Sequence, residues 1–146
     1  MNQNELSNRV QLRELIDRFA YLADIKDAAG QGELFTEDGA LAFQFGFDGE
    51  LTEVKGKDNL VEAFSGTLLP CKALYHMNGQ HLLTFTDEEH AQGIAYCMAT
   101  LVTEEDGKEI QMSNSIIYKD EYLKQGDKWL IKKRQSTFIL SDRKEK

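Results

Sequence analysis

The second half of the chain consists of four long strand-favouring runs at regular spacing: Lys72 to Thr86, His90 to Glu104, Lys108 to Leu123 and Lys128 to Ser141. Only short polar turns separate them, built around Asp87–Glu89, Glu105–Gly107 and Gln125–Asp127. Connections this short join antiparallel neighbours, because a parallel pair needs a crossover of about a dozen residues or more. The back half therefore reads as one antiparallel meander. Whatever precedes it must cover one of its faces.

The front half supplies that cover. Apolar residues recur at Leu6, Val10, Leu12, Leu15, Ile16, Phe19, Leu22 and Ile25, a helical period that predicts an amphipathic helix over about 5–25. Gly30 and Gly32 then predict a break with a short second helix or turn. An aromatic stretch, GALAFQFGF, lies between the turn signals Asp38-Gly39 and Asp48-Gly49 and predicts a strand, with a short return strand near Leu51 to Val54. Lys57 to Leu69 predicts a third helix with Leu60, Val61, Phe64 and Leu68 on one face, ended by Pro70. The expected fold class is α+β, a single domain spanning residues 1–146 in which a curved, mostly antiparallel sheet wraps N-terminal helices.

Charge narrows the function. There are 17 Lys and Arg against 25 Asp and Glu, a formal net charge of -8, and this argues against a nucleic-acid partner, which needs clustered cations. The one basic run, Lys132 to Arg134, reads as a solvated strand edge. No window reaches the ~18 consecutive apolar residues of a membrane span, and residues 1–15 lack an apolar signal core, so no membrane partner and a cytoplasmic location are expected. Cys71 and Cys97 form no CxxC pair and read as free thiols. The three histidines, His76, His81 and His90, show no metal-ligand spacing, so no metal is expected. No glycine-rich phosphate loop is present, so no nucleotide or other cofactor is expected.

The order of elements and five local strings resemble the nuclear transport factor 2-like superfamily, most closely its SnoaL-like branch with the scytalone and bile acid dehydratases. The strings are YLADIKD, LFTEDGAL, VKGKDNLVEAF, LYHMNGQHLL and GDKWLIKKRQ, spread over nearly the whole chain. The resemblance implies a cone-shaped α+β barrel whose open end admits a small ligand, and dimers packed through the sheet. It does not fix a function, since the superfamily holds dehydratases, isomerases and non-catalytic binders alike.

Asp24 matches the first Asp of the motif at the end of the first helix, which the resemblance places in the active site of the dehydratases; otherwise it is a helix-terminal residue in water. Asp27 reads as a turn residue. His76 matches a catalytic histidine of scytalone dehydratase, and strand alternation puts Leu74, His76 and Asn78 on one face. An imidazole there can take a proton α to a carbonyl and return it to a leaving hydroxyl; its alternative is a half-buried structural histidine. Cys97 stands where that enzyme has a second active-site histidine, a departure that puts two-histidine dehydration in doubt. Tyr21, three residues before Asp24, carries a hydroxyl suited to polarising a carbonyl, and Tyr96 and Tyr118 offer weaker versions of the same role. Arg134 has the opposite parity from Trp129, facing the mouth or solvent, and the resemblance to bile acid dehydratases makes it a candidate anion anchor. His81 and His90 read as surface residues, and Phe35, Phe43, Phe45, Phe47, Phe64 and Phe138 as core aromatics, although a pocket for a ring-bearing ligand uses the same residues.

Two functions stay open on this reading. One is a cofactor-independent lyase, specifically a dehydratase, or an isomerase, acting on a small apolar carbonyl compound through Asp24 and His76. The other is a non-catalytic ligand-binding or accessory dimerisation domain using the same pocket. Both expect a small hydrophobic or ring-bearing ligand and a homodimer.

Overall fold

The computed structural model describes residues 1–146. Asn2 opens helix α1 (Gln3–Asp24), its side-chain oxygen accepting the Glu5 backbone N–H at 2.8 Å, one of the donors that a helix start leaves free. The pairs Glu5–Arg9, Arg13–Asp17 and Glu14–Arg18, each four residues apart, line its wet side. The buried stripe is Leu12, Leu15, Ile16, Phe19, Ala20 and Ala23. Leu6, Val10 and Ile25, expected within that stripe, are instead exposed. Helical phase gives the reason: Val10 precedes Leu12 by two residues and Ile25 follows Ala23 by two, about 200° around the axis.

Lys26, in the left-handed region at φ 60°, turns the chain. Asp27 then caps α2 (Ala28–Glu33) by accepting the Gly30 N–H at 2.8 Å. Strands β1 (Phe35–Phe45) and β2 (Thr52–Lys55) form a hairpin, and α3 (Lys57–Leu68) follows. The meander is β3 (Ala73–Phe85), β4 (His90–Glu105), β5 (Lys108–Gln125) and β6 (Lys128–Glu145), each antiparallel to the next. The sheet order is β2-β1-β6-β5-β4-β3, with β1 and β6 parallel. Its two edges, β2 and β3, stay unpaired, so the anticipated barrel is an open cone.

Three one-residue insertions shape that cone. Between Asn78 and His81 β3 advances three residues while β4 advances two. In β6, Lys132 is extra between Ile131 and Lys133, and Ile139 is extra between Phe138 and Leu140. Each bulge bends the strand and reverses which parity faces inward.

On the concave side β4 presents Ala91, Ala95, Cys97 and Ala99, small side chains that admit the helices. Phe19 of α1, Phe35 of β1 and Phe64 of α3 meet there with ring centroids 5.6 to 6.0 Å apart, Phe19 edge-on to the other two, a geometry worth about 0.5–1.5 kcal/mol per pair beyond burial. Two aromatics read as core are not: Phe45 and Phe47 are 67% and 65% exposed, because they sit at the free end of the β1–β2 hairpin. The convex face shows Tyr75, Met77, Ile94, Tyr96 and Met98 to solvent. No helix is long and apolar enough to cross a membrane.

Candidate active site

Between the helices and the concave face lies a cavity of about 280 Å³. Fifteen of its twenty lining residues are hydrophobic, so a largely apolar ligand suits it. Phe45 stands at the mouth, its ring 5.1 Å from that of Phe138. A larger depression of about 510 Å³ lies among Thr84, Gln92, Lys119, Glu121, Lys133 and Gln135, without a histidine.

Polar ties hold α1 along β3 and so place the cavity's one histidine. Arg13 Nη1 donates to the Gly79 carbonyl at 2.8 Å. Asn78 Nδ2 donates to the Ile16 carbonyl at 3.1 Å and to Asp17 at 2.9 Å. Asp24 then reaches His76 twice: one carboxylate oxygen lies 2.7 Å from His76 Nδ1, and the other accepts the His76 backbone N–H at 3.2 Å. In the neutral ring, a proton on Nδ1 points at this carboxylate, and Nε2 then carries the lone pair. His76 lines the cavity, and its side chain is only 14% exposed. The pair is therefore arranged as an oriented base at an apolar wall.

The remaining candidates divide. Tyr118 and Cys97 point inward and are buried, and Tyr118 lines the cavity. Burial pushes the Cys97 thiol up, against a smaller opposing pull from the Tyr118 hydroxyl, and burial likewise pushes the Tyr118 phenol up; both stay protonated. Tyr21 is 60% exposed. It lies two residues from Ala23, on the far side of the helix, so a binding role from α1 is corrected. Tyr96 is corrected too, because it alternates with the inward Cys97 and stands exposed on the convex face. Asn78 does face inward, but its Nδ2 is spent on α1, its Oδ1 is enclosed by the protein without a partner, and it does not line the cavity.

Arg134 faces neither the mouth nor solvent. The Lys132 bulge swings it inward, where it is 1% exposed and makes two hydrogen bonds of 2.9 Å to Asp120. Its guanidinium lies 3.7 Å from the Tyr118 ring centroid and 4.7 Å from that of Phe19. With that charge neutralised by Asp120, no anchor for a ligand anion remains. Burial alone would lower the guanidinium pKa; Asp120 reverses this and raises it. His81, read as a surface residue, is half-buried and 3.1 Å from the Tyr122 hydroxyl, turned inward by the β3 bulge. No three His, Cys, Asp or Glu side chains gather closely enough to hold a metal ion.

Sequence reasoning passed over Asn114 and Ser136, both buried and both lining the cavity. Asn114 shares the inward parity of Ile116 and Tyr118 along β5, and a polar residue in that alternating series was the available signal.

Comparison with solved structures agrees with this architecture. A Novosphingobium aromaticivorans protein assigned as a scytalone dehydratase superposes with a TM-score of 0.83 at 16% identity, covering 97% of this chain and 91% of that one. The type 3 hexachlorocyclohexane dehydrochlorinase LinA of Novosphingobium barchaimii gives 0.77 at 14% identity, covering 97% and 92%. A cystatin-like protein of unknown function from Nostoc punctiforme gives 0.66 at 26% identity, covering 89% and 90%. No curated protein sequence matches. The sequence profile of the SnoaL-like domain matches residues 4–135, and the chain therefore belongs to the SnoaL-like domain family.

Proposed function

We propose that this protein is a cofactor-independent lyase of the dehydratase type, or an isomerase, that removes a proton α to the carbonyl of a small apolar compound. The observation that carries the reading is the 2.7 Å contact between Asp24 and His76 Nδ1 at the wall of an apolar cavity. Asp24 orients the ring. His76 Nε2 takes the α proton, the C–H electron pair becomes the enolate, and the proton returns either to a departing β-hydroxyl, which leaves as water, or to another carbon. Two structurally similar proteins carry the names of a dehydratase and a dehydrochlorinase, which supports elimination chemistry.

A second reading, a non-catalytic binding or accessory domain, draws support from Cys97. It places a neutral thiol where a second inward histidine would otherwise strengthen the acid–base case. Incubation with 1-indanone, a ring ketone with exchangeable α protons, in deuterated buffer separates the two. The enzyme reading expects deuterium at the α carbon above the buffer rate, lost in His76→Ala. Exchange no faster than buffer leaves only the binder.

The convex face supports a homodimer through the outer sheet, since Tyr75, Met77, Ile94, Tyr96 and Met98 expose contiguous apolar surface there. Sedimentation at micromolar concentration should show twice the 16.6 kDa chain mass; a monomer alone refutes it. The two buried free thiols support a cytoplasmic setting.

A further inference from the structure

The geometry points to Asn114 as the hydrogen-bond donor that holds the substrate's carbonyl oxygen while His76 works on the adjacent carbon; we infer this on the basis of the proton-abstraction reading above. Four inward residues lie in one row across the sheet. His76 of β3 is opposite Ala99 of β4, Ala99 is opposite Asn114 of β5, and Asn114 is opposite Ser141 of β6. Strands two apart are separated by roughly 10 Å, and between His76 and Asn114 stands only the methyl group of Ala99. His76, Ala99 and Asn114 all line the cavity. A carbonyl group with its α carbon bridges the space between a base on one side and a donor on the other.

Asn114 has the right end free for this. Its residue is 3% exposed, yet its one side-chain hydrogen bond is the Ser141 hydroxyl donating to its Oδ1 at 2.8 Å. The Ile139 bulge gives Ser141 the inward parity needed for that contact. With Oδ1 occupied, Nδ2 has no protein acceptor; it is not sealed off by the protein and opens on the cavity that Asn114 lines. A ligand oxygen can accept from it there without breaking a protein hydrogen bond.

The step balances without a co-reactant. When His76 Nε2 removes the α proton, the C–H electron pair moves into a carbon–carbon double bond and the carbonyl π pair moves onto oxygen. The Nδ2–H of Asn114 meets that growing negative charge, which makes the contact stronger in the transition state than in the ground state. The substrate class follows: a ketone or thioester-like carbonyl with an α C–H, whose oxygen accepts but need not donate.

The test compares 1-indanone with indane, the same ring skeleton without the carbonyl, on wild-type protein, Asn114→Ala and Asn114→Leu. The leucine variant keeps about the same side-chain volume and removes the amide without adding a charge, so it guards against a cavity defect in the alanine variant. Wild type should prefer indanone over indane, and both variants should lose that preference by roughly fivefold. The C=O stretch of bound indanone should lie at lower frequency in wild type than in either variant. The α-deuterium exchange should slow by roughly 100-fold in both. If both variants exchange as fast as wild type while His76→Ala does not, the base stands and Asn114 is overturned. If wild type shows no exchange, the base reading falls, and the binding preference and C=O stretch decide Asn114 alone; either one unchanged in the variants overturns it. Failure of indanone to bind wild type at all overturns both.

Discussion

Two carboxylates in this protein each hold a nitrogen base or cation, and their surroundings make them opposites. Asp120 spends both oxygens, taking two bonds from Arg134 and a third, at 2.6 Å, from the Tyr122 hydroxyl, and the Arg134 guanidinium lies over the Tyr118 and Phe19 rings. Asp24 also spends both oxygens, but on one residue, His76, whose second ring nitrogen remains unbonded beside the cavity. A saturated network has nothing left to offer a ligand, whereas an oriented ring with one free nitrogen does. The difference is one of unfilled valence more than of charge, and it separates a structural ion pair from a candidate catalytic pair.

The sharpest way to break the comparison is to remove each carboxylate in turn. Asp120→Ala leaves Arg134 buried without its anion and should cost about 3–5 kcal/mol of stability, read as a fall in the urea midpoint. Pairing that change with Arg134→Met should recover most of the loss, because the desolvated charge disappears with its partner. If the double variant is as unstable as the single one, the pair's role is not electrostatic.

Asp24→Asn should behave in the opposite way. The side chain is 26% exposed, so urea unfolding should move by about 1 kcal/mol or less. The amide can still accept one bond from His76 but no longer favours the imidazolium that forms during proton transfer. Exchange of the indanone α proton should slow by roughly tenfold to 100-fold. A large stability loss with unchanged exchange would put Asp24 in the same class as Asp120.

The sequence revealed more of the frame than of the site. The meander was legible because its turns are short and polar, and α3 because Pro70 follows a clear apolar stripe. Side-chain direction was harder, since strand parity holds only until a bulge. Arg134 and His81 were both misplaced for that reason, each lying beyond an extra residue in its strand. Alternation meant that only one of Tyr96 and Cys97 faces inward, but it could not say which until the helices were located. Tyr21 failed on helix phase, being about 60° from Asp24 at the border of the buried stripe. The Asp24 and His76 pair, 52 residues apart, was suggested by family resemblance; no local rule of spacing links them. Asn114 escaped because its one signal, a polar residue in series with Ile116 and Tyr118, has meaning only once that parity is known to face the helices.

The smallest effect sharpens the comparison from the structural side through pH. His81 touches the saturated network through the Tyr122 hydroxyl, which itself donates to Asp120, so His81 donates its Nε2–H to Tyr122. Burial pushes its pKa down to about 4, with Arg13 and Arg134 adding to the shift and Asp120 opposing it. The unfolded chain takes up this proton near the ordinary value of about 6.5, while the folded protein resists until about 4. Between those values the unfolded state binds more protons, so stability increases with pH. The contribution is complete above about 6.5 and is lost as pH falls toward 4. Because the ring is only half-buried, the loss should be about 1–2 kcal/mol once solvent screening is allowed for. His81→Gln retains a donor for Tyr122 and cannot titrate, so its urea midpoint should fall less steeply than wild type over that window. Parallel curves for the two proteins would show that other groups set the acid response and that His81 has no part in holding the network.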